Sequence, residues 1–153
     1  MKKIILICFT VSFLTSCGFK LAENNLNKDF KITILEALGE KRINYKLKNN
    51  LNIRSSSNKE IFLNLNTAKK KRIKEKNEKN EIVKYEIEII TTVNYNFSNN
   101  KKSGQFKVAK KGDFKVENQH IGTLENEKNL INILIQNMSE QIIDQINLTL
   151  NAS

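Results

Sequence analysis

The chain has 153 residues and a formal net charge of +10, from 26 Lys and Arg against 16 Asp and Glu, with one His, two Cys, no Pro and no Trp. That length suits one domain with a real core and hardly two, and so few histidines and cysteines exclude the usual Cys/His zinc sites and a disulfide-stapled framework. The positive balance favours an anionic partner, but a chain crowded with Lys, Asn and Ile is also the mark of an AT-rich genome, so part of the charge reflects composition.

Met1 is followed by the basic pair Lys2 and Lys3 and by the uncharged, mostly apolar run Ile4 to Leu14, the layout of a secretory signal. The apolar core is about eleven residues long, whereas a bilayer-spanning helix takes roughly 20, so the segment is expected to be cut away. Leu14-Thr15-Ser16-Cys17 resembles the bacterial lipobox, in which a diacylglycerol is attached to the cysteine through a thioether before cleavage. Residues 1–16 are therefore read as the signal peptide and Cys17 as the lipid-bearing first residue of the mature chain. Gly18 is not the Asp that, in such proteins, favours retention in the inner membrane, which allows transfer to the outer one. Each buried methylene contributes about 0.8 kcal/mol and a single acyl chain binds only reversibly. Two or three chains, palmitate among them, make dissociation negligible. Cys8 leaves with the signal, so no disulfide forms within the mature chain, and export argues against a nucleic-acid partner.

Residues 17–29 are polar and Asn-rich apart from Phe19, Leu21 and Leu26, which suits a lipidated tether. Residues 30–150 then read as a single α+β periplasmic domain. Phe30 to Ile34 alternates apolar with polar, as a half-buried strand does. From Glu40 the period changes: Ile43, Leu47 and Leu51 recur every four residues and mark one stripe of an amphipathic helix. Alternation returns at Ile61, Leu63 and Leu65 and continues toward Ile73, and Lys76 to Asn80 reads as a hairpin connection. Val83, Tyr85, Ile87, Ile89, Thr91, Val93, Tyr95 and Phe97 form one face of a long strand. Ser98 to Ser103 is turn-like, and Phe106, Val108, Phe114 and Val116 continue an adjacent strand with an interruption expected near Gly112.

A long helix is predicted after Gly122, with Thr123 as N-cap and Glu125 and Glu127 in its first turn. Its apolar stripe is Leu130, Leu134, Met138, Ile142, Ile146 and Leu150, flanked by Ile131, Ile135 and Ile143. Two helices with one apolar side each can cover one face of a four-stranded sheet, which makes an α+β two-layer sandwich with the other face open.

No catalytic constellation stands out, so the chain is not expected to be an enzyme. His120 reads as a surface or loop residue ahead of the helix, Glu86 and Glu88 as solvated, and no metal ligands or Gly-rich phosphate loop are expected. No cofactor is called for beyond the covalent lipid on Cys17.

These residues together resemble the LptE family of lipopolysaccharide-assembly lipoproteins. The likeness is carried by Cys17-Gly18-Phe19-Lys20-Leu21, the first strand, the helix ending near Leu51, the Thr91-Thr92-Val93-Asn94-Tyr95 centre of the long strand, and the Glu-bearing start and Ile/Leu/Gln end of the last helix. The resemblance implies a mixed sheet backed by two helices. It also implies a lipid-anchored protein on the periplasmic side of the outer membrane that plugs an LptD-like β-barrel, one to one, and assists lipopolysaccharide assembly into the outer leaflet. Lys69, Lys70, Lys71, Arg72 and Lys74 are then the candidates for contact with lipopolysaccharide phosphates. Strand alternation should send Lys69 and Lys71 one way and Lys70, Arg72 and Lys74 the other. The competing reading of this run is a solvated basic edge that discourages aggregation. The competing reading of the whole is a generic periplasmic scaffold or binding lipoprotein of another envelope complex.

Replacing Cys17 by Ser is expected to abolish lipid attachment and block normal signal processing. Intact-mass measurement of the membrane-associated protein checks this, and an unlipidated mature form beginning elsewhere would refute it.

Overall fold

The structure, a computed structural model, describes residues 30–52, 59–98 and 102–151. The segment expected to be a signal peptide (residues 1–16), Cys17 and the rest of the expected tether lie outside the described residues. Strand β1 (Lys31–Gly39) leads to helix α1 (Lys41–Leu51), which is followed by strands β2 (Glu60–Lys76), β3 (Ile82–Phe97) and β4 (Ser103–Lys115) and by helix α2 (His120–Asn151). The strands form one sheet in the order β1-β2-β3-β4. β1 is parallel to β2, and the other pairs are antiparallel. Parallel neighbours need a crossover connection, and α1 lies in it. The tight turn after β2 returns the chain alongside itself. This is the expected α+β sandwich with a mixed four-stranded sheet.

The core occupies one side of the sheet. Ile61, Leu63 and Leu65 of β2 pair directly with Phe97, Tyr95 and Val93 of β3, so the alternation of each strand delivers its apolar set to the same face. On α1, Ile43, Leu47 and Leu51 are buried as their spacing predicts, and on α2 Leu134, Met138, Ile142 and Ile146 are buried with Ile135 and Ile143. Leu130, Ile131 and Leu150 pack on the core's margin. At its centre the hydroxyls of Thr67 and Thr91 lie 2.9 Å apart, and Thr91 Oγ1 donates to the Met138 sulfur at 3.1 Å. With its single proton committed there, Thr91 accepts from Thr67. A polar pair is thereby satisfied inside an apolar layer.

Four details differ from expectation. β1 runs past Ile34 to Gly39, because the register against β2 shifts between Ile34 and Glu36 and so hides the continuation from a period-two reading. β4 is not interrupted at Gly112, which pairs with Ile87. A Cβ there would stand 2.7 Å from Leu130 Cδ1, so the glycine is a close-approach position under α2 rather than a break. Helix α2 begins at His120, not after Gly122. The N–H of Gly122 donates to Gln119 O at 3.1 Å and closes the first turn, and a Cβ on Gly122 would stand 3.2 Å from Glu117 Cβ, so the glycine gives room to the incoming chain. Thr123 is therefore inside the helix and not its N-cap, and Glu125 and Glu127 fall beyond the first turn. Thr123 Oγ1 accepts from the Glu117 N–H at 2.8 Å and secures the incoming chain. Finally, His120 is on the surface, as expected, but belongs to the helix start and not to a preceding loop.

Leu134→Ala or Ile142→Ala is expected to destabilise the fold by about 2–5 kcal/mol, the range for emptying a core site. Asn132→Ala should cost far less, because Asn132 is exposed and only accepts a bond from Lys46 Nζ across the two helices. Equal shifts in chemical denaturation for all three would show that the buried face is wrongly assigned.

Candidate functional site

The basic run lies where β2 outlasts its neighbour. Gly39, at φ +88°, is paired with Thr67, and a Cβ on it would stand 2.0 Å from Thr67 O. The glycine lets the chain leave the sheet there, and Glu40 N–H donates to the same carbonyl at 3.0 Å. Beyond Thr67, β2 is paired only with β3 among the described residues. Lys69, Lys70, Lys71, Arg72 and Lys74 therefore line a free strand edge.

Alternation divides them as predicted. Lys69 and Lys71 turn to the helix side, where Glu127 of α2 meets them at 4.0 Å and 2.6 Å. Lys71 also sits over the stacked rings of Tyr85 and Phe114, 4.5 Å and 5.1 Å from their centroids, so ring quadrupoles add to the ion pair. Arg72 and Lys74 turn to the open face. Arg72 Nε donates to Glu86 Oε1 at 2.6 Å, and Lys74 Nζ pairs with Asp113 at 2.6 Å. Glu86 is not the solvated carboxylate that its outward place on the strand predicts: its side chain is only 13% exposed and is held by Arg72. Lys70 stands opposite Glu88 and is the member of the run with no ion pair among the described residues. The run thus has the form of a charge-matched edge: β3, β4 and α2 supply carboxylates in register with its cations. A phosphate approaching from the open face would meet Lys70 first and would have to displace Glu86 or Asp113 to reach Arg72 or Lys74.

Uncompensated cations lie elsewhere. Lys107, Lys111 and Lys115 are exposed on the open face of β4, and Lys41, Arg42 and Lys48 are exposed on α1, none with an ion pair among the described residues. These positions are dispersed along the chain and form no run in the sequence. The four-residue spacing of the β4 lysines, which keeps them on one face of a strand, was the available signal. The rest of the open face is graded: amides Asn64, Asn66, Asn94 and Gln105 lie toward one end, and Ala68, Ile90 and Ala109 form a small apolar row next to the charged zone.

The exposed pairs that tie the strands together set a pH dependence. Glu60 is held below its ordinary value of 4.5 by the Thr33 hydroxyl and then by Lys31. Glu75 is lowered from 4.5 by Lys84, and Asp113 from 3.8 by Lys74. Lys84 is raised above 10.5 by Glu75. A carboxyl with a depressed folded-state value stabilises the fold above its unfolded value and loses that contribution as pH falls through the folded one; the raised Lys84 loses its contribution as pH climbs past 10.5. Stability is therefore expected to decline below about pH 4.5 and again above about pH 10.5, with only a modest change because exposed pairs are weak. Thermal unfolding at graded pH checks this. A Glu75→Gln variant that keeps the wild-type slopes at both ends would overturn the assignment for that pair.

No protein-family model matches the sequence, and no curated protein matches it. Among solved structures, the chain is similar to the rare lipoprotein B from Shewanella oneidensis, with 13% identity and a TM-score of 0.60, over 78% of this chain and 95% of that one. It is also similar to a candidate lipoprotein from Caulobacter crescentus CB15, with 10% identity and a TM-score of 0.53, over 82% of this chain and 93% of that one. At these identities the likeness is one of fold.

Proposed function

We propose that the chain is an outer-membrane lipoprotein, held on the periplasmic side by lipid on Cys17, that plugs an LptD-like β-barrel one to one and assists lipopolysaccharide assembly into the outer leaflet. The observation that carries this reading is the two-layer fold, shared with the rare lipoprotein B of Shewanella oneidensis over 95% of that chain, on a sequence that opens with a signal and a lipobox-like Leu14-Thr15-Ser16-Cys17. A fold does not specify an activity, so the weight falls on the combination of fold and export signal. The role is one of assembly and not of catalysis, and it requires no cofactor apart from the attached lipid. The basic edge fits the reading as a surface that meets lipopolysaccharide phosphates, with Lys70 as its open cation and Arg72 as a planar fork suited to two-point recognition once Glu86 is displaced.

Purification of the full chain from membranes in mild detergent is expected to recover a stoichiometric β-barrel. Recovery of a different envelope complex, or of a monomer, would favour the scaffold alternative. With purified lipopolysaccharide, reversing Lys70, Arg72 and Lys74 should reduce binding more than reversing Lys101, Lys102 and Lys107. The loss should shrink with added salt, since exposed charges are screened over about 8–10 Å at physiological ionic strength. Equal losses for the two sets would assign the effect to net charge alone.

A further inference from the structure

Among the described residues the sheet has three free strand edges, and they differ in chemistry. Outer strand β4 carries Lys107, Lys110, Lys111 and Lys115. The free half of β2 carries the basic run already described. Lysine along an edge repels an approaching strand and keeps the backbone wet. The third edge, β1, reads KITILEALG. Its one cation, Lys31, is engaged by Glu60 at 3.1 Å, and Leu35 and Leu38 are 65% and 52% exposed. Two edges are guarded and one is not.

The backbone narrows the unguarded part. Lys31 N–H donates to Lys59 O at 2.8 Å, so Lys31 and Thr33 turn their peptide groups toward β2. The alternation of a parallel strand then turns those of Ile32 and Ile34 outward. Further along, the register breaks between Ile34 and Glu36, and the Asn44 side-chain amide takes up Leu38 O at 2.8 Å. The free ladder is therefore Lys31 to Ile34. An open cleft of about 260 Å³ runs beside those four residues, walled by Lys48 and Asn52 from the end of α1. Lys48 is exposed and has no carboxylate partner among the described residues.

We propose that this edge is a strand-addition site: an extended segment of a partner polypeptide, as long as Lys31 to Ile34, pairs with the outward peptide groups of Ile32 and Ile34 and sets a carboxylate against Lys48. Main-chain bonds supply affinity in this mode of recognition and the side-chain contacts supply selectivity. The bulge and the Asn44 bond stop the added strand at Ile34. The proposal is independent of the lipopolysaccharide reading, because it uses neither the basic run nor the lipid.

The test titrates the full chain in mild detergent with a capped peptide of alternating valine and threonine with a central glutamate, and with the same peptide methylated on alternate backbone nitrogens. Amide hydrogen exchange is the readout. At a peptide concentration about ten times its Kd, exchange at Ile32 and Ile34 should slow by roughly tenfold, with β4 amides unchanged and the methylated peptide inactive. Lys48→Glu should weaken binding by about two- to fivefold, the scale of an exposed charge pair. The methylated peptide keeps the test independent of whether any variant folds. Absence of protection, equal protection by the methylated peptide, or equal protection along β4 would overturn the proposal. So would Ile32 and Ile34 amides already protected in the chain alone, since the chain itself or a second copy would then occupy the edge.

Discussion

The burial of one sheet face under α2 and α1 sets the position of every other described element. Side chains at alternate positions of β2, β3 and β4 reach that face, and the register that pairs Leu65 with Val93 and Thr91 with Val108 brings them into one layer. Full burial of such an aliphatic side chain contributes about 1.5–3 kcal/mol, and the layer holds many. Gly112 allows α2 to come down close to β4, with Leu130 over the glycine, and the Thr67–Thr91–Met138 chain of bonds lets two hydroxyls lie within the same layer. Because a strand has two faces and the helices cover one, the opposite face is left mainly to polar and charged side chains, with the small apolar row of Ala68, Ile90 and Ala109 among them.

That residual face and the strand edges carry the features through which the protein can meet partners. The basic run of β2 is conspicuous in the primary structure but largely compensated in the folded one, since Glu127, Glu86 and Asp113 arrive opposite its cations from three other elements. Each exposed pair contributes little by itself. Their combined effect is to keep a long, free strand edge charged, hydrated and shaped, which answers the aggregation hazard of such an edge. β1 lacks this protection, and its outward peptide groups beside Lys48 are the contrast from which the strand-addition proposal is drawn.

The fold is shared with domains described as lipoproteins, which agrees with the export signal expected from the sequence of residues 1–17 while leaving the activity to the surfaces. The proposed assembly role asks little of the interior beyond rigidity. It asks of the exterior an arrangement of edges, amides and cations matched to what surrounds the protein, and the graded open face has that character: charged at the hairpin end, amide-rich at the other.

From the sequence alone, periodicity determined the element order, the buried stripes of both helices and the buried face of β3, because period-two and four-residue spacings are local consequences of backbone geometry. It also determined how the basic run divides between faces. Only the tertiary structure decided where β1 ends, since the shift after Ile34 breaks the period; that Gly112 and Gly122 lie inside their elements, since a glycine's tolerance depends on what packs against it; and that Thr123 secures a loop rather than capping a helix. The pairing of Glu86 with Arg72 and of Glu127 with Lys71 was likewise invisible in one dimension. These partners are brought together by strand register and helix placement, and long-range proximity leaves no trace in local spacing.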